Sequence, residues 1–187
     1  MNLTRISSLS LGALLLCALA SPSASRASDD DKDGGKDNRR NGNYSAKLKS
    51  YNEVPSISSP TATGSFSATL AEDGMSLQYR ISYSGLVGTI TQSHIHFGRM
   101  HTAGGIMAWL CQTEGTKDPL NLAPQCVVGS EGTVEGTLTA ANIITVGTTG
   151  MGAGEFSEFV NALNNGAGYA NVHSTTFGGG EIRGDIR

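Results

Sequence analysis

The chain has 187 residues, with 13 lysines and arginines against 16 aspartates and glutamates, which gives a formal net charge of −3. This balance does not favour nucleic acid as a partner, since nucleic-acid binding depends on clustered basic side chains. Glycine contributes 25 residues, and short runs of Val, Ile, Tyr and Phe alternate with turn residues, a composition typical of an all-β domain.

The amino-terminal segment has the features of an export signal. Arg5 supplies positive charge, residues 9–20 form an apolar run, and Ser25-Arg26-Ala27 fits a small-x-small cleavage site. We therefore expect residues 1–27 to be a signal peptide and the mature protein to be secreted or periplasmic. No later apolar stretch reaches the roughly 20 residues that a membrane helix needs, so no transmembrane segment is expected.

Residues 28–43 are charged and contain no apolar side chain that could offset the entropy of ordering, so we expect a disordered linker. From Tyr44 to the end of the chain, polar and apolar residues alternate in short runs, and residues 44–187 are expected to form one β domain. The predicted strands begin near Tyr44 and include residues 64–70, 77–83, 90–97, 106–111, 133–139 and 180–187. Asp73-Gly74 supplies the turn of a hairpin between the second and third of them.

One segment has a helical period instead. Phe156, Phe159, Val160 and Leu163 stand at i, i+3, i+4 and i+7, which predicts one short helix near residues 155–164. Its apolar stripe is expected to cover one end of the β domain.

Two cysteines, Cys111 and Cys126, remain once the predicted signal is removed. An even number of cysteines in an exported chain favours a disulfide. Because the pair lacks the C-x-x-C spacing of redox and zinc motifs, we expect a structural bond.

The histidines carry the strongest chemical signal. His94 and His96 must share one face of their strand, and His173 follows Val172 in a second strand-like segment, so we expect the three imidazoles to converge on the outer surface of the sheet. Such a set suits copper or zinc, with His101 as a fourth candidate ligand, and binding should weaken below about pH 6, where imidazole takes up a proton. Asn171 shares a face with His173, and we expect it to orient the imidazoles, together with the following set: Glu181, Arg183 and Asp185.

Two other interpretations of the histidines remain open. They could form a structural polar network with Glu181, Asp185 and backbone groups. They could equally form a recognition face for a protein or a small organic ligand.

Several motifs in order resemble the signature of the CHRD domain, a module named after chordin: Asn52-Glu53-Val54-Pro55, Ser93-His94-Ile95-His96, Tyr169-Ala170-Asn171-Val172-His173-Ser174 and Gly180-Glu181-Ile182-Arg183-Gly184. The resemblance covers residues 44–187, essentially the whole predicted mature domain. It departs from the family at Phe97-Gly98-Arg99, where many members have a Gly-Pro-Ala turn, and at Gly178-Gly179, where a proline is usual. The resemblance implies a Greek-key, immunoglobulin-like or superoxide-dismutase-like β sandwich, and it implies no established activity.

The sequence contains no G-x-S-x-G elbow, no phosphate-binding loop and no cysteine–histidine nucleophile pattern. We therefore expect an exported CHRD-type binding or structural module rather than an enzyme, with metal binding through surface histidines as its candidate chemistry. The alternative is a single-metal protein, with copper or zinc, that acts like a superoxide dismutase or as a metal carrier. The ligand, the partner and the oligomeric state are not set by the sequence.

Overall fold

The computed structural model describes residues 42–147 and 149–187, and within them most of the regular secondary structure consists of antiparallel strands. The strands are β1 (Asn43–Lys49), β2 (Thr63–Leu70), β3 (Ser76–Ser84), β4 (Ile90–Phe97), β5 (Ile106–Cys111), β6 (Gly132–Thr139), β7 (Gly168–Ser174) and β8 (Ile182–Asp185). One α-helix, α1, spans Phe156–Asn164, and short 3-10 helices occupy Ser50–Asn52 and Ala140–Asn142. The prediction of an all-β fold with one short helix is confirmed.

The strands form a single sheet in the order β5-β4-β7-β8-β1-β2-β3-β6. Several neighbours are far apart in sequence, namely β4 and β7, β8 and β1, and β3 and β6, as in Greek-key connections. The two ends of the sheet approach each other. The Tyr79 hydroxyl on β3 donates to the Leu110 carbonyl on β5 at 2.6 Å, and the Ile144 N–H donates to the Met107 carbonyl at 3.0 Å. The sheet is therefore nearly closed around one apolar core.

The alternation in the sequence explains which side of each strand faces this core. Tyr44, Ala46 and Leu48 of β1 are buried while the residues between them are exposed, and Ile95, Ala170 and Val172 take the inward positions of β4 and β7. Inward residues of all eight strands belong to one cluster of buried apolar side chains, to which β8 contributes Ile182 alone.

Helix α1 contributes Phe156, Phe159 and Leu163 to the same cluster. The chain leaves the helix after Asn164 through Gly166, whose φ of 65° is a left-handed conformation that glycine adopts without strain. The helix packs closely on β7, because a Cβ at Gly168 would lie 2.4 Å from Leu163 Cδ2. The predicted helix near residues 155–164 is confirmed.

The predicted disulfide is also confirmed, because Cys111 at the end of β5 is bonded to Cys126. The predicted signal peptide (1–27) and nearly all of the predicted linker (28–43) lie outside the described residues, and Asn43 already belongs to β1. Among the helices of the described residues, none is long and apolar enough to cross a membrane.

Candidate metal centre

The pairing of β4 with β7 gathers the polar side chains of both strands on one face. The register pairs three residues of β4 with three of β7: Gln92 with His173, His94 with Asn171, and His96 with Tyr169. Directly opposed residues of antiparallel strands point to the same side of the sheet. This side is the one opposite the apolar core, since Ile95 and Ala170 point into that core.

His94, His96 and His173 form a compact cluster. One ring nitrogen from each lies within 4.8 Å of the others, and His94 Nδ1 and His173 Nε2 are 3.2 Å apart. His101, the fourth candidate ligand, is not part of the cluster; it lies exposed in the loop after β4, with a φ of 63°.

The prediction that these are surface histidines is wrong. Their exposed fractions are 1% for His94, 8% for His96 and 6% for His173. The sheet face was correctly assigned, but two loops cover it: residues 98–105, which follow β4, and residues 175–181, which follow β7. Both loops contact the imidazoles directly through backbone carbonyls, at Gly104 and Gly178. Alternation within strands carries no information about where such loops lie.

Each imidazole has one nitrogen that faces an oxygen atom of Gln92 or of a covering loop. His96 Nδ1 lies 2.8 Å from the Gly104 carbonyl oxygen, and His173 Nδ1 lies 3.0 Å from the Gly178 carbonyl oxygen. His94 Nε2 lies 3.1 Å from Gln92 Oε1. Because these oxygens can only accept hydrogen bonds, the N–H of each neutral ring belongs at the nitrogen that faces them.

The other nitrogen of each ring then carries a lone pair. These atoms are His94 Nδ1, His96 Nε2 and His173 Nε2, of which the first and the third lie 3.2 Å apart. His96 Nε2 is buried and has no hydrogen-bond partner among the described residues. Histidines that bind metals characteristically donate their second N–H to a carbonyl or carboxylate, which fixes the tautomer and the ring orientation.

Burial also sets the charge of the cluster. It lowers the pKa of His94 to about 2 and of His173 to about 4, and it lowers the pKa of His96 as well. All three rings are therefore neutral at pH 7. Neutral imidazole is the form that binds a metal ion.

Two aromatic residues fix the planes of the rings. Trp109 on β5 meets His94 edge to face, with ring centroids 4.2 Å apart, and Tyr169 stacks on His96 at 4.8 Å with an angle of 4° between the ring planes. The Tyr169 hydroxyl accepts the Gly104 N–H at 3.1 Å, so the same residue also anchors the covering loop. The sequence analysis did not single out either aromatic residue, although strand alternation places Tyr169 on the face of Asn171.

The residues predicted to orient the imidazoles fall into two groups. Asn171 contacts the cluster, with its Oδ1 3.0 Å from His173 Nε2. The acidic residues are engaged elsewhere. The Glu181 carboxylate accepts hydrogen bonds from the Ser59 hydroxyl and the Val87 N–H, and Asp185 lies 3.7 Å from Arg183. The oxygens that hold the histidines are thus carbonyl and amide oxygens.

Arg183 holds the covering loop rather than an imidazole. It is 2% exposed, its guanidinium lies 3.4 Å from the centroid of the Tyr169 ring, and it donates hydrogen bonds to the carbonyls of Thr102 and Arg99. Through these hydrogen bonds, Arg183 holds the loop after β4 over the histidine face of the sheet.

Glu53 is the residue that the sequence analysis missed. It follows the first 3-10 helix, is 6% exposed, and its carboxylate accepts a hydrogen bond from the Asn171 side chain. Burial raises its pKa to about 7, against the opposing influence of the nearby Arg183 charge. It belongs to one of the motifs that carried the family resemblance, but nothing in its local pattern connected it to the histidines.

The residues present fit a metal ion. With zinc–nitrogen bonds of about 2.0–2.1 Å, the nitrogens of a tetrahedral site stand roughly 3.3 Å apart, close to the 3.2 Å between His94 Nδ1 and His173 Nε2. The donors are neutral imidazoles, which suit copper and zinc.

Comparison with known proteins gives one result for the chain as a whole. A family model described as the CHRD domain matches residues 44–186, nearly all of the described part of the chain. No curated protein matches the sequence.

Proposed function

The chain belongs to the CHRD-domain family, and from this premise we propose that it is an exported module that binds one copper or zinc ion through His94 Nδ1, His96 Nε2 and His173 Nε2. Three findings support export: the signal-like residues 1–27, a disulfide of the kind found in oxidising compartments, and the typically extracellular location of CHRD domains.

The observation that carries the proposal is the direction of the three lone pairs. A carbonyl or amide oxygen outside the cluster occupies one nitrogen of each ring, and the three rings lie together in a buried space, with His94 Nδ1 beside His173 Nε2. Two lone pairs at 3.2 Å, as at His94 and His173, repel each other unless a positive charge lies between them. A structural network of neutral histidines gives each ring nitrogen its own partner, whereas His96 Nε2 has none with hydrogen-bonding geometry among the described residues. The Asn171 side chain interacts with the His96 ring and opposes the lowering of its pKa by burial.

The chain's own residues bind the ion, orient the ligands and exclude water. The Gly104 and Gly178 carbonyls and Gln92 fix the tautomers, while Trp109 and Tyr169 fix the ring planes. A bound copper ion would supply one-electron chemistry, and a bound zinc ion would supply a structural centre. Because both loops cover the imidazoles, the geometry favours retention of the ion over the open access that a superoxide-dismutase-like reaction needs.

The test is metal binding by the purified full chain after treatment with a chelator. Competition against a chromophoric chelator, together with elemental analysis, should give one copper(II) or zinc ion per chain. The double variant His94→Asn/His96→Asn should bind at least about 100-fold more weakly, since it removes two of three ligands. His101→Asn is the matched control and should bind like the wild type, because His101 is exposed and outside the cluster. Wild-type binding no tighter than that of the double variant would overturn the proposal.

A further inference from the structure

We infer that the metal centre has a fourth ligand, the amide oxygen Oδ1 of Asn171, and that Glu53 holds this oxygen in place. The resulting set of three imidazole nitrogens and one oxygen would select a divalent ion, zinc or copper(II), over copper(I). This inference rests on the proposed function and specifies its ligand set.

Both ring nitrogens of His173 face oxygen atoms. Nδ1 lies 3.0 Å from the Gly178 carbonyl oxygen, and Nε2 lies 3.0 Å from Asn171 Oδ1. A neutral imidazole has a single N–H and cannot donate to both. With the proton at Nδ1, the lone pairs of Nε2 and Oδ1 point toward each other, and a cation between the two atoms satisfies both.

The neighbours of Asn171 determine which way its side-chain amide is turned. The Asn171 side chain hydrogen-bonds to the Glu53 carboxylate. An ionised carboxylate can only accept, so Asn171 turns its Nδ2 toward Glu53, and its Oδ1 lies 3.0 Å from His173 Nε2.

The position of Glu53 is itself built into the fold. Its carboxylate lies under Gly180, where a Cβ would come within 2.7 Å of Glu53 Oε1. Gly180 has a φ of 127°, so both its conformation and its lack of a side chain serve this close approach. Glu53 Oε1 is buried and has no hydrogen-bond partner among the described residues, while the carboxyl group as a whole interacts with the Asn171 side chain and the Val54 backbone.

Two distances at His173 Nε2 suit a four-coordinate ion, within a set of histidine nitrogens that lie within 4.8 Å of one another. Asn171 Oδ1 and His94 Nδ1 lie 3.0 and 3.2 Å from His173 Nε2, near the roughly 3.3 Å expected between ligands of a tetrahedral site. Imidazole and oxygen donors suit zinc and copper(II), whereas copper(I) is selected by soft sulfur ligands. Loss of the oxygen should therefore lower the affinity for divalent ions and leave the affinity for copper(I) largely unchanged.

The experiment uses the full chain and three substitutions. Asn171→Leu removes the oxygen at similar size, and Asn171→Asp keeps an oxygen at the same position. Glu53→Gln replaces the carboxylate, which only accepts hydrogen bonds when ionised, with an amide that can also donate to Asn171 Oδ1. Zinc and copper(I) affinities are measured by competition, and cobalt(II) reports coordination geometry through its visible absorption. We expect a tetrahedral cobalt(II) spectrum for the wild type. Asn171→Leu and Glu53→Gln should each bind zinc roughly 10–100-fold more weakly, while Asn171→Asp keeps the wild-type spectrum.

The outcomes separate this inference from the proposed function. If neither Asn171→Leu nor Glu53→Gln changes the zinc affinity or the cobalt(II) spectrum, the fourth ligand is overturned and the three-histidine site stands. Should Asn171→Leu fail to fold, as judged by thermal unfolding of the metal-free variant, Glu53→Gln decides the question alone. Failure of the wild type to bind any of the three ions overturns the proposed function itself.

Discussion

At the scale of single residues, a histidine becomes a candidate ligand here through what surrounds its two nitrogens. A structural network would use carboxylates such as Glu181 or Asp185, which stabilise a charged imidazole. The cluster instead combines carbonyl and amide acceptors with nearly complete burial, and burial lowers the pKa of each ring. The imidazoles are thereby kept neutral, and the Glu53 carboxyl group reaches them through Asn171.

Glu53 and the histidines should change the stability of the metal-free protein in opposite directions with pH. Burial raises the pKa of Glu53 from 4.5 to about 7, so the folded state holds a proton that the unfolded chain releases, and the free energy of unfolding falls as pH rises through this range. Burial lowers the pKa of His94 and His173 from 6.5 to about 2 and about 4. Below pH 6.5 the unfolded chain therefore takes up protons that the folded state does not, and the free energy of unfolding falls as pH falls.

The substitution Glu53→Gln removes the first of these effects. Between pH 4.5 and 7, the free energy of unfolding of the variant should rise more steeply with pH than that of the wild type, by up to about 1.4 kcal/mol per pH unit. Chemical denaturation in the presence of a chelator, repeated across this range, measures the slope. Glu131→Gln, at an exposed carboxylate, is the control and should run parallel to the wild type. Parallel curves for Glu53→Gln as well would show that Glu53 does not hold an extra proton in the folded state.

At the scale of elements, the strands and the loops make different contributions to the proposed metal centre. Strands β4 and β7 present the histidines by simple alternation, and the loops after them supply the carbonyls that hold the rings. Those carbonyls belong to two glycines in very different surroundings. A Cβ at Gly104 would lie 1.7 Å from the Phe97 carbonyl oxygen, whereas one at Gly178 would have no described atom within 4 Å.

This difference makes the two glycines a matched pair. Gly104→Ala forces the first loop away from β4, and His96 Nδ1 loses its acceptor; we expect weaker zinc binding, by about 10-fold or more, and lower thermal stability. Gly178→Ala adds the same methyl group where space exists and should leave both quantities near the wild-type values. Zinc competition and thermal unfolding of the two variants check this. Equal effects of the two changes would mean that the loop after β4 does not position His96.

At the scale of the whole molecule, the sequence predicted the strands and the helix well. In these elements the apolar residues recur with the period of the strand or helix, and these same residues face the core. Alternation located β1 to β6 to within one or two residues, and the 3.6-residue stripe of Phe156, Phe159 and Leu163 located α1. The same alternation placed His94, His96 and Asn171 on one face. It could not reveal the burial of that face, because burial depends on loops that cross from one strand to another, nor the role of Glu53, which is distant in sequence and lies on no periodic element.

That burial changes how the whole protein should respond to metal and acid. Zinc at 100 times its dissociation constant should stabilise the fold by about 2.7 kcal/mol, which for a chain of this size raises the melting temperature by roughly 5–10 °C. The sequence alone predicts loss of this gain below about pH 6. In the folded protein, however, the pKa values of His94 and His173 are about 2 and about 4, so protons compete for these ligands only near pH 4. The zinc-dependent rise should therefore be as large at pH 5.5 as at pH 7.5, and absent from the His94→Asn/His96→Asn variant at both. Thermal unfolding with and without zinc at the two pH values measures it, and a rise that vanishes by pH 5.5 would mean that the imidazoles titrate like exposed ones.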